Sequence, residues 1–249
     1  MMKMKKPNKA YLDGDILVYK TAFYVEAEGI EDLPDKLNYD IRKWTPKGID
    51  DIVIALSCTR KDNFRRDIWP RYKINREDSY VPEYLSDVYE YIEENYKTKR
   101  CEHLEADDIL GIYASAGKAI AVTIDKDLRG VRGWHLNPNK EKEPIYISKN
   151  DAEKFFCKQW MAGDSTDGVP GLWRIGPKTA EKLLNEWKKK DWHKNILEMY
   201  QEDKYIPKDL AGIDEERIGE VMGQCVKILS KRNYNLKTNE INMWCQIVG

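Results

Sequence analysis

The chain has 249 residues, enough to bury roughly two thirds of its extended surface in one α/β domain or in a main domain carrying a smaller lobe. Its 42 Lys and Arg against 43 Asp and Glu leave a net charge of -1, which excludes a globally basic architectural protein, so any hold on a polyanion must come from local patches. With 34% charged and 41% hydrophobic residues, neither wholesale disorder nor a collagen-like rod fits.

In chain order, Ala10 to Leu12 reads as a buried strand that stops at Asp13-Gly14-Asp15, and Ile16 to Val25 as a helix. Ile49 to Leu56 is a stronger strand, because its second half is continuously apolar and suits a strand covered on both faces. Tyr84 to Tyr96 carries Tyr, Leu, Val and Ile at mixed helical spacing, and Ala106 to Ala116 reads as a helix. Ala119 to Ile124 forms a third apolar strand, ending at Asp125. Short strands follow at Val131 to Leu136 and Pro144 to Ile147, then a helix at Asn150 to Trp160. The run from Gly163 to Gly171 holds too much Gly and Pro for one helix. Pro177 opens a helix to Trp187, since its missing N–H has no partner in a first turn, and Ile213 to Lys231 is a later helical region. Strands alternating with helices in this way predict a mostly parallel α/β sheet with flanking helices.

Cys58, Cys101, Cys157, Cys225 and Cys245 form no CxxC pair and are odd in number, which favours a reducing compartment. His103, His135 and His193 have no zinc-motif spacing. No signal peptide and no apolar run of about 18 residues is present, so no membrane role is expected.

The carboxylates carry the chemistry. Asp13 follows the first strand, Glu105, Asp107 and Asp108 open a helix, Asp125 and Asp127 follow the third strand, and Asp164 and Asp167 lie in the glycine-rich run. The carboxyl ends of parallel strands share one edge, so remote segments can build one acidic basin. Carboxylates crowded together raise one another's proton affinity, and Mg²⁺ or Mn²⁺ relieves that conflict through oxygen ligands. Taken singly, each acid is also explained as a helix cap or a turn former.

A basic run spans Arg60 to Arg76, with Arg60, Lys61, Arg65, Arg66, Arg71, Lys73 and Arg76 interrupted by Phe64, Trp69 and Tyr72. Cations hold phosphate while aromatic faces stack on unpaired bases, although a solvated basic loop reads the same way. Gly168, Gly171 and Gly176 let backbone approach a phosphate, and Lys178 and Lys182 extend the strip, yet no Walker phosphate loop is present and a plain turn is the commoner explanation.

YLDGD at 11–15, NFRRDIWPRYKINR at 63–76, LEADD at 104–108, TIDKD at 123–127 and MAGDSTDGVPGLWRIGPKTAEKLL at 161–184 together resemble the 5′-nuclease superfamily of flap endonucleases and 5′→3′ exonucleases, and within it the T7-like bacteriophage exonucleases. The likeness runs into EERIGEVMGQCVKIL at 215–229 and the EINMW tail. It implies a nuclease core over 1–160 with a compact arch near 60–96, then a helix–three-turn–helix DNA-binding lobe with a C-terminal helical region over 161–249.

The resemblance also implies two or more Mg²⁺ or Mn²⁺ ions on Asp13, Glu105, Asp107, Asp108, Asp125, Asp127, Asp164 and Asp167, and K⁺ near the glycine-rich turn. Lys73 and Arg76 are expected to act at the scissile phosphate, with Arg65, Tyr72, Lys73, Arg76, Gly168, Gly171, Gly176, Lys178 and Lys182 binding DNA. The implied partner is DNA with a free 5′ end or 5′ flap, and RNA–DNA primers. The implied enzyme is a monomer serving replication and recombination in the cytoplasm of an infected bacterium, its products carrying a 5′ phosphate and a 3′ hydroxyl. One departure stands out: relatives often place an Asp after the second strand, where this chain has Leu56-Ser57-Cys58, and Asp62 is the nearest replacement in sequence. A PIN-like ribonuclease and a catalytically weakened DNA-junction binder remain open alternatives.

Overall fold

The computed structural model describes residues 4–207, 210 and 213–243. Cys245, and Trp244 at the end of the EINMW segment, lie outside the described residues. In chain order, β1 (Lys9–Asp13), α1 (Gly14–Glu28), α2 (Leu33–Trp44), β2 (Asp51–Leu56), α3 (Phe64–Ile68), α4 (Leu85–Asn95), β3 (Thr98–Arg100) and α5 (Ala106–Ser115) come first. Next are β4 (Ile120–Val122), β5 (Gly133–Leu136), β6 (Ile145–Ile147), α6 (Lys149–Ala162), β7 (Gly163–Asp164) and β8 (Val169–Pro170). The chain continues through α7 (Pro177–Glu186), α8 (Trp192–Met199), α9 (Ile218–Val226), β9 (Tyr234–Asn235) and β10 (Glu240–Ile241).

Packing divides the chain into two compact units, and not at residue 160. The first comprises residues up to Asn63, Tyr80–Ser148 and Ile228–Ile241; the second is built from Phe64–Ser79 and Lys149–Lys227. The stretch expected to form an arch therefore contributes to both units, α3 to the second and α4 to the first.

The first unit is a six-stranded sheet in the order β3-β2-β1-β4-β5-β6, parallel except for the β5–β6 pair. Fully buried Leu12, Ile54 and Val122 lie on the three central strands, and Leu17, Val18, Leu37, Trp44 and Ile92 of the helices join them in one core. From β1 the chain proceeds to β2 on one side, while β4 lies on the other, so the sheet's topological switch point falls between β1 and β4. Ligand sites of open parallel sheets form there, beyond the strands' carboxyl ends. Gly14 is required at this edge: a Cβ on it would come within 2.4 Å of the Ala55 carbonyl oxygen, so only glycine lets α1 start against β2.

The second unit is mainly helical. Phe156, Trp160, Tyr200 and Met222 pack with Tyr72, Leu184 and Trp192. The indole N–H of Trp160 donates to the Gly219 carbonyl at 2.8 Å, so this tryptophan is a core residue, whereas Trp173 is 50% exposed. The run from 163 to 171 is a short antiparallel hairpin, β7 against β8. A Cβ on Gly163 would lie 2.2 Å from the Gly171 nitrogen, and one on Gly171 would lie 2.2 Å from the Ala162 carbonyl carbon, so these glycines exist for backbone contact within the hairpin. Among the described residues, no helix is long and apolar enough to cross a membrane.

Candidate active site

At the switch point Asp13 ends β1 and caps α1, one oxygen accepting from the Ile16 N–H at 3.3 Å and the other from the Thr123 hydroxyl at 2.6 Å. Thr123 in turn accepts the Asp125 N–H at 3.0 Å, and Asp125 accepts the Asp127 N–H at 2.8 Å. One hydroxyl thus couples the ends of β1 and β4, and the aspartates after β4 form a turn beside it. Asp13 is only 3% exposed; burial, then the charge of Asp15, pushes its carboxyl up to about 7 against the hydrogen bonds from Thr123 and Ile16.

Asp15 is a site residue that sequence reasoning passed over. Its carboxylate accepts the Ser57 N–H at 3.1 Å, the Ser57 hydroxyl, and the Tyr89 hydroxyl at 3.3 Å. Ser57 also accepts the Ala106 N–H at 2.9 Å, which ties the end of β2 to the first turn of α5, where Glu105 and Asp107 sit. A carboxylate therefore stands beside the end of β2 after all, delivered by α1. Asp62 does not take that place: its carboxylate accepts the Thr59 hydroxyl at 2.5 Å within its own turn. The clue in the sequence was the second acid of Asp13-Gly14-Asp15, readable only once α1 was known to start against β2. Cys58 sits among these acids, and burial followed by Glu105, Asp108, Asp62 and Asp15 pushes its thiol up to about 12.

Asp108 faces the other way. It is fully buried; one oxygen accepts the Leu229 N–H at 2.9 Å and the other the Glu105 N–H at 3.3 Å. Both oxygens hold backbone, so Asp108 anchors the returning chain and completes a capping box that orients Glu105.

In the second unit the acids have different company. Asp164 accepts the Thr166 N–H at 2.9 Å and the Gln159 amide at 3.3 Å. Asp167 accepts the Tyr72 hydroxyl at 2.9 Å and Arg76 Nη2 at 2.5 Å, with Lys73 Nζ at 3.5 Å. Asn75 donates to the Ser165 and Thr166 carbonyls, each at 3.2 Å. Residues 72–76 thus clasp the hairpin loop, with Lys73 itself left-handed at φ 57°.

Two expected DNA contacts are corrected here. Arg65 is 2% exposed, and its guanidinium donates to the Cys225 carbonyl at 3.1 Å and the Lys227 carbonyl at 2.8 Å, fastening α3 to the end of α9. Tyr72, also 2% exposed, has its ring in the core, so it offers no face to a base. Lys178 and Lys182 are exposed on α7, and Gly176, with open space around it, caps that helix. Gly168 turns the hairpin loop at φ 68°.

No family model matches the chain. The chain is 36% identical over 180 residues to DNA polymerase I of Rhizobium leguminosarum, covering 62% of this chain but 17% of that protein's length. It is 26% identical to the exonuclease of Escherichia phage T7 across 94% of this chain and 92% of that one. It is 28% identical to a 5′-3′ exonuclease of Buchnera aphidicola over 74% and 71% of the two chains. Among solved structures, T5 5′-exonuclease with divalent zinc bound matches with a TM-score of 0.56 at 16% identity, over 88% of this chain and 89% of that one. At that identity the last comparison shows the shared fold alone. Sheet order, the acids at the switch point and near full-length similarity to a phage exonuclease agree: the chain is similar to proteins of the 5′-nuclease superfamily.

Proposed function

We propose that the chain is a divalent-metal-dependent 5′→3′ exonuclease and 5′-flap endonuclease acting on DNA, including RNA–DNA primers, as a monomer in the cytoplasm of an infected bacterium. The observation that carries this reading is the coupled set Asp13, Asp15, Asp125 and the α5 first turn with Glu105 and Asp107 at the switch point of a parallel sheet. The donors are all oxygen, and Asp13 is driven up to about 7 beside Asp15, so the pocket carries more carboxylate than it holds ionised without a cation. Hard ions suit such a set, and the reading gives Mg²⁺ or Mn²⁺, two or more, to Asp13, Asp15, Glu105, Asp107, Asp125 and Asp127. Bound there, these ions would supply Lewis acidity for hydrolysis.

The protein's own groups set the geometry. Thr123 fixes Asp13 against Asp125, Ser57 fixes Asp15 against α5, and Asp108 fixes Glu105. In the second unit, the exposed Lys178 and Lys182 with the α7 amino terminus hold duplex phosphates, sequence-independently. K⁺ at the 163–176 backbone, and water-mediated roles for Asp164 and Asp167, belong to the same reading. Lys73 and Arg76 exchange Asp167 for phosphate when a strand arrives. Partly exposed ion pairs of this kind contribute at most about 1 kcal/mol, so the exchange costs little. The T5 flap endonuclease, solved in complex with DNA and metal ions at a TM-score of 0.53, shows a similar fold in that setting.

An end-labelled 5′ flap, a matched RNA–DNA hybrid and single-stranded RNA, each with Mg²⁺ and with chelator, test the proposal. Chelator-sensitive cleavage of the flap at its junction, leaving 5′ phosphates, is expected. Cutting confined to single-stranded RNA would favour the PIN-like alternative, and binding without cutting the junction binder. Replacing Lys178 and Lys182 by Ala together should flatten the dependence of log affinity on log salt by about 1 to 2.

A further inference from the structure

In the second unit three metal-ligating side chains meet that no motif spacing announces. Glu153 and Cys157 lie one turn apart on α6, and His193 comes from the first turn of α8. Glu153 Oε1, Cys157 Sγ and His193 Nε2 all lie within 4.8 Å of one another. We propose that these three residues bind one thiophilic divalent cation, Zn²⁺, with a fourth position left for water.

Sulfur, imidazole nitrogen and carboxylate oxygen form a donor set suited to Zn²⁺ and unsuited to Mg²⁺. Cys157 is 0% exposed, and its Sγ lies within the 4.8 Å cluster with the Glu153 oxygen and the His193 nitrogen. The His193 ring is held edge-on by Phe156 at 6.2 Å and Trp160 at 5.9 Å, which fixes the direction of Nε2 before any ion arrives. A thiolate, a carboxylate and a neutral imidazole exactly cancel the charge of Zn²⁺, a condition a buried site requires. On binding, Sγ gives its proton to solvent, and His193 binds through the unprotonated Nε2 of the neutral ring.

Lys227 is the competing cation. Its ammonium lies 3.7 Å over the Phe156 ring and is attracted to Glu153 and Cys157, while burial lowers its proton affinity. Without metal, the Glu153 carboxylate is held by His193 at 2.5 Å and by the charge of Lys227. Zn²⁺ therefore has to displace that charge, which makes Lys227 a regulator of affinity rather than a ligand.

Cobalt reports the sulfur directly, because only a thiolate ligand gives a sulfur-to-cobalt charge-transfer absorption. The chelator-stripped full chain is titrated with Co²⁺, then with Zn²⁺, then with Mg²⁺. One Co²⁺ per chain should develop the band, with Zn²⁺ displacing it and Mg²⁺ leaving it in place. The band should survive C58S, vanish in C157S, and need about 100-fold more Co²⁺ in H193A. K227M should bind more tightly than the parent, which a purely structural ion-pair cluster would not show. Far-UV circular dichroism verifies that C157S is folded, and H193A provides an independent arm if it is not. A parent chain without the band, or a band lost in C58S and retained in C157S, overturns the proposal and leaves only an ion-pair cluster.

Discussion

In the sheet unit Asp13 is buried beside Asp15 and Asp125, and its hydrogen bonds come from a hydroxyl and a backbone N–H. In the helical unit Asp167 meets Tyr72, Lys73 and Arg76, so its charge is already answered by side chains of the same unit. One carboxylate is set among like charges in a low-dielectric edge, and the other is the centre of a clasp. Both are aspartates in turn-rich, glycine-containing segments of the chain. Their surroundings, not their sequence context, separate a carboxylate pushed toward its neutral form from one held by cations against a loop.

The largest effect expected from that contrast is at Asp125. Asp125→Asn should slow Mg²⁺-supported cleavage about 100-fold or more with duplex affinity little changed, read by single-turnover rates beside direct binding. Unchanged cleavage at saturating Mg²⁺ would remove Asp125 from the site. Asp15→Asn should cost about tenfold and shift the Mg²⁺ requirement upward, while Asp62→Asn should do neither. If the two variants exchanged these behaviours, the carboxylate beside β2 would be Asp62, and Asp15 would be no more than a tie to Ser57.

Acid provides a third comparison. His135 of β5 is buried, and burial lowers its imidazole to about 4, against about 6.5 when unfolded. Between those values the unfolded chain binds the extra proton. Its contribution to stability is therefore complete above about 6.5 and is lost as pH falls toward 4, by at most about 1.4 kcal/mol per pH unit. Hydrogen exchange should show the sheet unit opening first in that window, with His135→Leu flattening the dependence. Simultaneous opening of both units, unaffected by His135→Leu, would assign the acid sensitivity elsewhere. The smallest effect is Tyr72→Phe, which removes one hydrogen bond from the clasp and should lower stability in urea by about 1 kcal/mol, with faster exchange at 163–170. A larger loss of cleavage than of stability would mean that the clasp takes part in the reaction.

Much of the sheet was legible because the apolar second half of Ile49 to Leu56 and the mostly apolar run Ala119 to Ile124 suit doubly covered strands, and both lie in the middle of the sheet. The ends of the first and third predicted strands placed Asp13 and Asp125 on one edge before any coordinates. The three-residue strand β3 and the helices α2 and α8 were not anticipated. β3 is too short to show a period, and the two helices draw their stability from packed Trp44, Leu37, Ile196 and Trp192 rather than from a local signal. The basic run misled for a related reason: seven cations in sequence read as one surface, yet Arg65 turned inward to cap carbonyls of α9.

The sequence by itself determined the alternation of elements, the acids at strand ends and the superfamily resemblance, because each depends on neighbours a few positions apart. Only the tertiary structure decided that Asp15 stands beside Ser57, that Asp108 faces Leu229, and that Glu153 and Cys157 meet His193. Those pairings span 36 to 121 residues of chain and are set by how helices pack, which no local pattern records.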